Sequence, residues 1–422
     1  MGKINYYIYE DKNFSNFYPL TYLRPIYDLR CGVFSLREKI EKCFNIKKIN
    51  LLSRPILTDL LRETYPEFNI NQFSEGNSVF INGRLIANRD LIKQVSFNFK
   101  NDVVYKTNNQ VVIVCITDKT LKYFLTKWKR QGFPLLEDED FVNFKEAQIN
   151  ANLASYPWDL IVNIGSEIEK DFELLKKKSQ IKKIKHSDIV NPKNVVIGKH
   201  TKISSNVVID ATDGPVIIGK NVLIMPQSTI VGPAFIGDQT IIKIGAKIYS
   251  GCSIGEVCKV GGELDSVIIQ SHSNKQHDGY LGHAYVGSWA NFGAGTNNSD
   301  LKNNYSKVKA VINGELINTN LQHFGMLFGD HSKTGINMMF DTGTVVGICC
   351  NLYGAGLPPR YIPSFVRGTP EGPLKTNSLE MVIDTARIVM QRRNKILSDS
   401  LIKLLGEVFE NTKEQRNKFN IL

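Results

Sequence analysis

Between positions 261 and 305 the chain reads GGELDSVIIQSHSNKQHDGYLGHAYVGSWANFGAGTNNSDLKNNY. This stretch holds His272, His277 and His283, with Lys275 and Tyr280 among them and Asn291 shortly after. A neutral imidazole near physiological pH can take a proton from an attacking nucleophile, and such a base is worth about 10²–10⁴ in rate. The small run Gly293-Ala294-Gly295 lets a backbone N–H approach a developing oxyanion. The same histidines allow a second chemistry. Three of them can hold zinc, and the interval from His272 to His277 suits two ligands.

The elements that must position these groups show in the hydrophobic period. Stepping by six from Ile218 gives Ile224, Ile230, Ile236, Ile242, Ile248, Ile254 and Val260, all aliphatic. Ile197, Ile203 and Ile209 form an earlier phase, joined to this one by a three-residue insertion near Asp213-Gly214-Pro215. Later phases read Tyr280, Val286, Phe292 and then Phe328, Thr334, Phe340, Val346, Leu352. Six matches neither the helical period nor strand alternation. It predicts a solenoid of short strands and turns with one inward aliphatic per side, each buried Ile contributing roughly 1.5–3 kcal/mol. The repeat is expected to break between Gly261 and Gly279, so the polar cluster lies where the solenoid is interrupted.

The first half alternates apolar strands (INYYIYE, KKINLLS, SVFIN, VVIVCI) with helical stretches around 35–44, at PILTDLLRETY, where Pro55 opens a helix, and near 119–131. That alternation predicts an α/β domain with a largely parallel sheet. Arg24 and Arg30 in PLTYLRPIYDLR could neutralise a triphosphate, since guanidinium forks match phosphate oxygens. An internal ion-pair network with Asp28 and Glu38 explains them equally well. The expected organisation is an α/β domain over 1–172, a Lys-rich linker over 173–189, the solenoid over 190–368 and a helical cap over 369–422.

The 422 residues carry 52 basic and 41 acidic side chains, a net charge of +11 that suits anionic ligands. Part of that charge sits in the lysine runs at 176–178 and 182–185. No RNA-binding signature or aromatic–basic interleaving accompanies it, which argues against a nucleic-acid partner. No apolar stretch is long enough for a bilayer, and MGKINYYIYEDKNF lacks the apolar core of a secretory signal. With seven cysteines in no zinc-knuckle spacing, the expectation is a cytoplasmic protein with buried, reduced thiols and no membrane partner.

The segments PLTYLRPIYDLRCGVFSLREK, FINGR, YPWDL, NKQHDGYLG, NFGAGTNNSDLKNNY, GDHSKTGIN, FDTGTVVG and PPRYIPSF carry a resemblance that spans nearly the whole chain. On them the chain resembles the bifunctional glucosamine-1-phosphate N-acetyltransferase/N-acetylglucosamine-1-phosphate uridyltransferases, in particular a divergent bacterial branch of sugar nucleotidyltransferases. The resemblance implies a nucleotidyltransferase-like α/β domain followed by a left-handed parallel β-helix of hexapeptide repeats. It implies a homotrimer with sites between subunits. By the motif match His277 is the general base, Tyr280 and Asn291 line the amino-sugar site, and Ala294 offers its backbone amide to acetyl-CoA. Lys275 is the nearest candidate for the sugar phosphate, because the family's basic residues do not align clearly upstream of His277. Asn298, Asp300 and Lys302 depart from the usual pattern.

The expected activity is acetyl-CoA-dependent N-acetylation of glucosamine-1-phosphate or a similar amino sugar phosphate, coupled to UTP-dependent uridylyl transfer in the first domain. Mg²⁺ is the implied ion for that second reaction. Its ligands stay unassigned, because Asn82-Gly83-Arg84 stands where the family's strand ends in a metal-binding Asp, and the glycine-rich fingerprint is missing. Two alternatives remain open: a non-catalytic sugar-nucleotide-binding scaffold, and a zinc-dependent carbonic anhydrase-like β-helix.

Overall fold

The computed structural model describes residues 4–130, 136, 138–175 and 186–419. The two lysine runs of the expected linker lie outside the described residues. The chain forms two compact units, Met1–Phe17 with Leu23–Leu29 and Phe34–Ser155, and Tyr18–Tyr22 with Arg30–Val33 and Tyr156–Leu422. The division therefore falls at Ser155/Tyr156, and two short segments near the start belong to the second unit.

The first unit is built on a seven-stranded sheet in the order Lys145–Gln148, Val103–Thr107, Gln110–Ile116, Ser78–Asn82, Asn5–Tyr9, Ile49–Leu52, Asn69–Ile70. Only Gln110–Ile116 runs against the rest. Val111 through Ile116 are all buried, as expected for a strand covered on both faces. The helix Leu36–Cys43 starts at Ser35, whose hydroxyl accepts the Glu38 N–H at 3.2 Å while the Glu38 carboxylate accepts the Ser35 N–H at 2.8 Å. Pro55 opens a short 3₁₀ turn leading into Thr58–Thr64, and Asp118–Arg130 forms the last helix of this unit.

In the second unit the helices Pro157–Val162 and Ile164–Leu175 precede a parallel solenoid. Its chain visits three sheets in turn, so that successive strands such as Val216–Ile218, Leu223–Ile224 and Thr229–Val231 lie on different faces. The sixfold phase from Ile218 to Val260 forms inward columns on those faces, every member buried in one continuous core. The phase from Phe328 to Leu352 does the same, with Thr334 as its polar member.

The expected break at 261–279 is not a break. The coil continues with Leu264, Ile269 and Leu281 inward, because the steps shorten to four and five residues before returning to six. The position that hid this continuity is Lys275, which pairs in register with Val260 and is only 2% exposed. Tyr280 lies beside the inward Leu281 and is half-buried rather than part of the column.

The true interruption comes later. Residues 299–325 leave the coil and carry an antiparallel hairpin, Lys309–Ile312 with Glu315–Asn318, before Met326–Phe328 rejoins the sheet beside Tyr285–Val286. Three helices follow: Leu379–Gln391, Asp399–Asn411 and Lys413–Lys418. They do more than cover the last coil. Ala386, Met390 and Leu397 pack with Trp289 at mid-solenoid, while Arg416 Nη1 reaches the Ser364 carbonyl near the end at 3.4 Å.

All seven cysteines are buried thiols outside any disulfide. Among the described residues no helix is long and apolar enough to cross a membrane.

Candidate active site

His277 stands exposed on a corner of the solenoid, residues 276–279, between the strands Asn274–Lys275 and Tyr280–Gly282. Lys275 holds this corner from inside, its Nζ donating to the His277 carbonyl at 2.6 Å. Burial lowers the Lys275 ammonium to about 8, although Asp278 nearby pulls the other way. Gly262 on the preceding coil has φ +74°, and a Cβ there would meet the His277 carbonyl at 2.8 Å and Lys275 Nζ at 2.9 Å. Only glycine lets the two coils pass this closely.

The turn Gly293–Gly295 sits directly on the His277 corner, one coil further along. The Gly295 N–H donates to the Asp278 carbonyl at 2.9 Å, and the Ala294 carbonyl accepts from Asn337 N–H at 2.7 Å. His277 and Ala294 are therefore brought to the same edge of the coil. Asn291 lies on the adjoining face, bridged to Asn274 and Lys333, and its side-chain oxygen accepts from Asn274 Nδ2 at 3.3 Å.

On that face opens a cavity of about 380 Å³ lined by Lys259, His272, Asn274, Gln276, Trp289, Asn291, Lys333, Arg392 and Arg393. Four of these are permanent or near-permanent cations, and no carboxylate lines the cavity among the described residues. Burial, with like charge behind it at Lys259 and His272, shows in their acidities. Lys259 is lowered by burial and by Arg393, Lys243 and Arg392, and Lys333 is lowered by burial. His272 falls to about 4, through burial and then Lys395 and Arg393. It stacks on Trp289 at 4.3 Å between ring centroids. His272 thus belongs to this cavity, and among the described residues of one chain His272, His277 and His283 do not gather into the zinc trio of the alternative reading.

Tyr280 points to a different group. Its hydroxyl donates to Asp300 Oδ2 at 2.9 Å, and its pKa is raised by burial and by Asp300. His283 Nδ1 lies 2.6 Å from the same oxygen. Burial raises the Asp300 carboxyl, but the hydrogen bonds from His283 and Tyr280 outweigh it and leave the group lowered.

Arg24 and Arg30 fall in different compact units, and each is engaged separately. Arg24 is half-buried, and its carbonyl accepts from Arg54 Nη2 at 3.1 Å. Arg30 is 8% exposed, pairs with Glu256 at 2.7 Å and lies over the Phe235 ring. A ligand would have to break that ion pair to use Arg30. Asp28 pairs with Arg37, and Glu38 is the helix-capping group.

At the end of the strand Asn5–Tyr9, the carboxylates that could meet a metal are already engaged. Asp11 takes Arg84 Nε at 3.1 and 2.9 Å and Nη2 at 2.7 Å, with Asn82 Nδ2 at 3.0 Å. Glu10 is buried against Arg54 at 3.1 Å, and burial, more than Arg54, sets its pKa, leaving it raised. As arranged, this donor set does not fit magnesium, which would have to displace the Arg84 guanidinium.

Residues 6–180 match the family model described as sugar nucleotidyl transferase. The Bifunctional protein GlmU of Synechococcus elongatus is 30% identical over 179 residues, 38% of this chain and 36% of that protein. That of Methanococcus aeolicus is 27% identical over 316 residues, 69% of this chain and 74% of its own. Over these stretches the chain is similar to the GlmU proteins. A protein of Sulfurisphaera tokodaii called bifunctional sugar-1-phosphate nucleotidylyltransferase/acetyltransferase is 28% identical over 100 residues, 24% of this chain and 25% of its own. The match thus spans about a third of the length of the cyanobacterial relative.

The cationic cavity is hidden from the sequence, because its members run from Lys259 to Arg393 and only folding gathers them. The one available signal is the basic pair Arg392-Arg393 following an amphipathic helix.

Proposed function

We propose that the solenoid transfers an acetyl group from acetyl-CoA to the amine of an amino sugar phosphate, with glucosamine-1-phosphate as the acceptor. The observation that carries this reading is the stacking of the Gly293–Gly295 turn on the His277 corner beside a carboxylate-free cationic cavity. The phosphate of the acceptor enters that cavity among Lys259, Lys333, Arg392 and Arg393. Asn291 orients the sugar at its rim. The amine nitrogen attacks the thioester carbon, and the His277 imidazole takes the proton that the amine must lose. The Ala294 amide steadies the tetrahedral oxyanion. As that intermediate collapses, the carbon–sulfur bond breaks and the thiolate recovers the proton. No acyl-enzyme is formed.

Lys275 acts from beneath, fixing the height of the His277 backbone. The exposure of His277 suits a site completed by a neighbouring subunit, in keeping with the homotrimer that the motif match implies. The sheet domain, by its family match, supports a paired step in which UTP and the acetylated sugar phosphate give a UDP-sugar, for which Asp11 would meet magnesium only once the Arg84 guanidinium moves aside. The name of the Sulfurisphaera relative joins the same two reaction types.

Two assays on purified full-length protein test this. Acetyl-CoA with glucosamine-1-phosphate should release free thiol, and UTP with the acetylated product should release pyrophosphate. His277→Ala should lower the first rate by about 10²–10⁴ and leave the second unchanged. Undiminished thiol release by that variant removes His277 as the base. Silence of the wild type in both assays favours the scaffold reading instead.

A further inference from the structure

Away from the cationic cavity, His283, Asp300 and His323 converge so that one ligand atom of each lies within 4.8 Å of the others. The three residues come from different parts of the chain. His283 turns the corner after the strand Tyr280–Gly282, Asp300 begins the interruption of the coil, and His323 ends it. Backbone hydrogen bonds tie these points together. The Phe324 N–H donates to the Asp300 carbonyl at 2.9 Å, the Gly325 N–H to the His283 carbonyl at 2.9 Å, and Leu301 and His323 form a bridge. His283 itself is held at φ +44°, the left-handed corner conformation that His272 and His331 also adopt. The rings of His283 and His323 lie 5.0 Å apart between centroids.

We propose that His283, Asp300 and His323 form a divalent-metal site that takes zinc, with an open position on the solvent side. Two imidazoles and one carboxylate are a borderline-soft set of the kind zinc prefers, and three protein ligands leave a fourth position for water or a small ligand. Zinc ligands in tetrahedral array stand about 3.3 Å apart at bond lengths near 2.0 Å. Reaching that array from the present spread of 4.8 Å parts His283 Nδ1 from Asp300 Oδ2, now 2.6 Å apart, and draws His323 in. Asp300 is oriented by the Tyr280 hydroxyl at 2.9 Å, the outer contact that a metal-bound carboxylate usually has. Zinc takes the place of the hydrogen between His283 Nδ1 and Asp300 Oδ2, the neutral imidazole then carrying its N–H on Nε2. His323 is exposed, which provides the entry path. The metal would clip the 299–325 insertion, hairpin included, to the coil it interrupts.

The test titrates chelator-treated full-length protein with zinc against a chromophoric competitor, and separately with cobalt(II). One equivalent of zinc per chain and intense visible cobalt bands of four-coordinate type are expected. His323→Ala, which changes an exposed side chain, should weaken zinc at least tenfold, as should Asp300→Asn, with circular dichroism unchanged. Substoichiometric zinc in the wild type, equal affinity in His323→Ala, or a weak six-coordinate cobalt spectrum overturns the assignment.

Discussion

Lys275 Nζ donates to the carbonyl of His277, two residues along the same chain, across 2.6 Å. The lysine occupies an inward column position otherwise filled by aliphatic groups such as Val260, and it is 2% exposed. A cation inside a hydrophobic column costs free energy, and burial accordingly lowers its pKa to about 8. Among the described residues no carboxylate hydrogen-bonds Nζ to offset that cost. What the lysine visibly provides is the position of the His277 backbone.

Lys275→Met should therefore separate stability from activity. The thioether chain fills the column without a charge, so thermal stability at pH 7 should hold or rise. Acetyl transfer should fall, because the His277 corner loses its internal prop. A Lys275→Met protein that keeps full acetyl transfer would contradict the positioning role.

The same group gives the protein a pH signature. A lysine whose folded pKa lies near 8, below the unfolded value of about 10.4, leaves the unfolded chain binding more protons between those values. Stability should rise as pH climbs from about 8 towards 10 and be flat in this contribution below 8. Chemical denaturation across that range should show the slope in the wild type and lose it in Lys275→Met.

Arg392 and Arg393 bring cations from a helix end to a cavity that already holds Lys259 and Lys333. Arg393 is fixed there by Asn274 Oδ1 at 2.8 Å. Removing one charge-assisted contact to phosphate costs about 1.5–3 kcal/mol, roughly a 10- to 100-fold loss of affinity. Arg393→Ala should raise KM for the phosphorylated acceptor by that factor with a smaller change in kcat. An unchanged KM would place the phosphate elsewhere.

How far the sequence carries depends on the range of the interactions involved. Columns such as Ile218 to Val260 are legible because each coil repeats the same local demand for one inward aliphatic. The continuity through 261–279 is not, because Lys275 breaks the chemical pattern and Leu264 and Ile269 break the step. The His277 corner and the Gly293–Gly295 turn are recognisable individually, but their stacking is a product of coil length. Arg30 shows the opposite failure. Its place near Arg24 in the sequence suggests a shared phosphate, yet its guanidinium is taken by Glu256, a partner 226 residues away.

Arg84 supplies the last prediction. It is among the largest fully buried side chains and satisfies Asp11 through three contacts, with Nη1 on the Ala154 carbonyl at 2.8 Å and Nη2 on Gln110 at 2.9 Å. Breaking a buried pair from one side strands a charge and typically costs about 3–5 kcal/mol, whereas removing both partners costs less. Arg84→Met should lower the calorimetric transition of the sheet domain sharply, and Asp11→Asn combined with it should recover part of the loss. The single variant also frees the Asp11 carboxylate, so magnesium should stabilise Arg84→Met more than the wild type. If magnesium shifts both transitions equally, Arg84 is not what keeps that carboxylate from the ion.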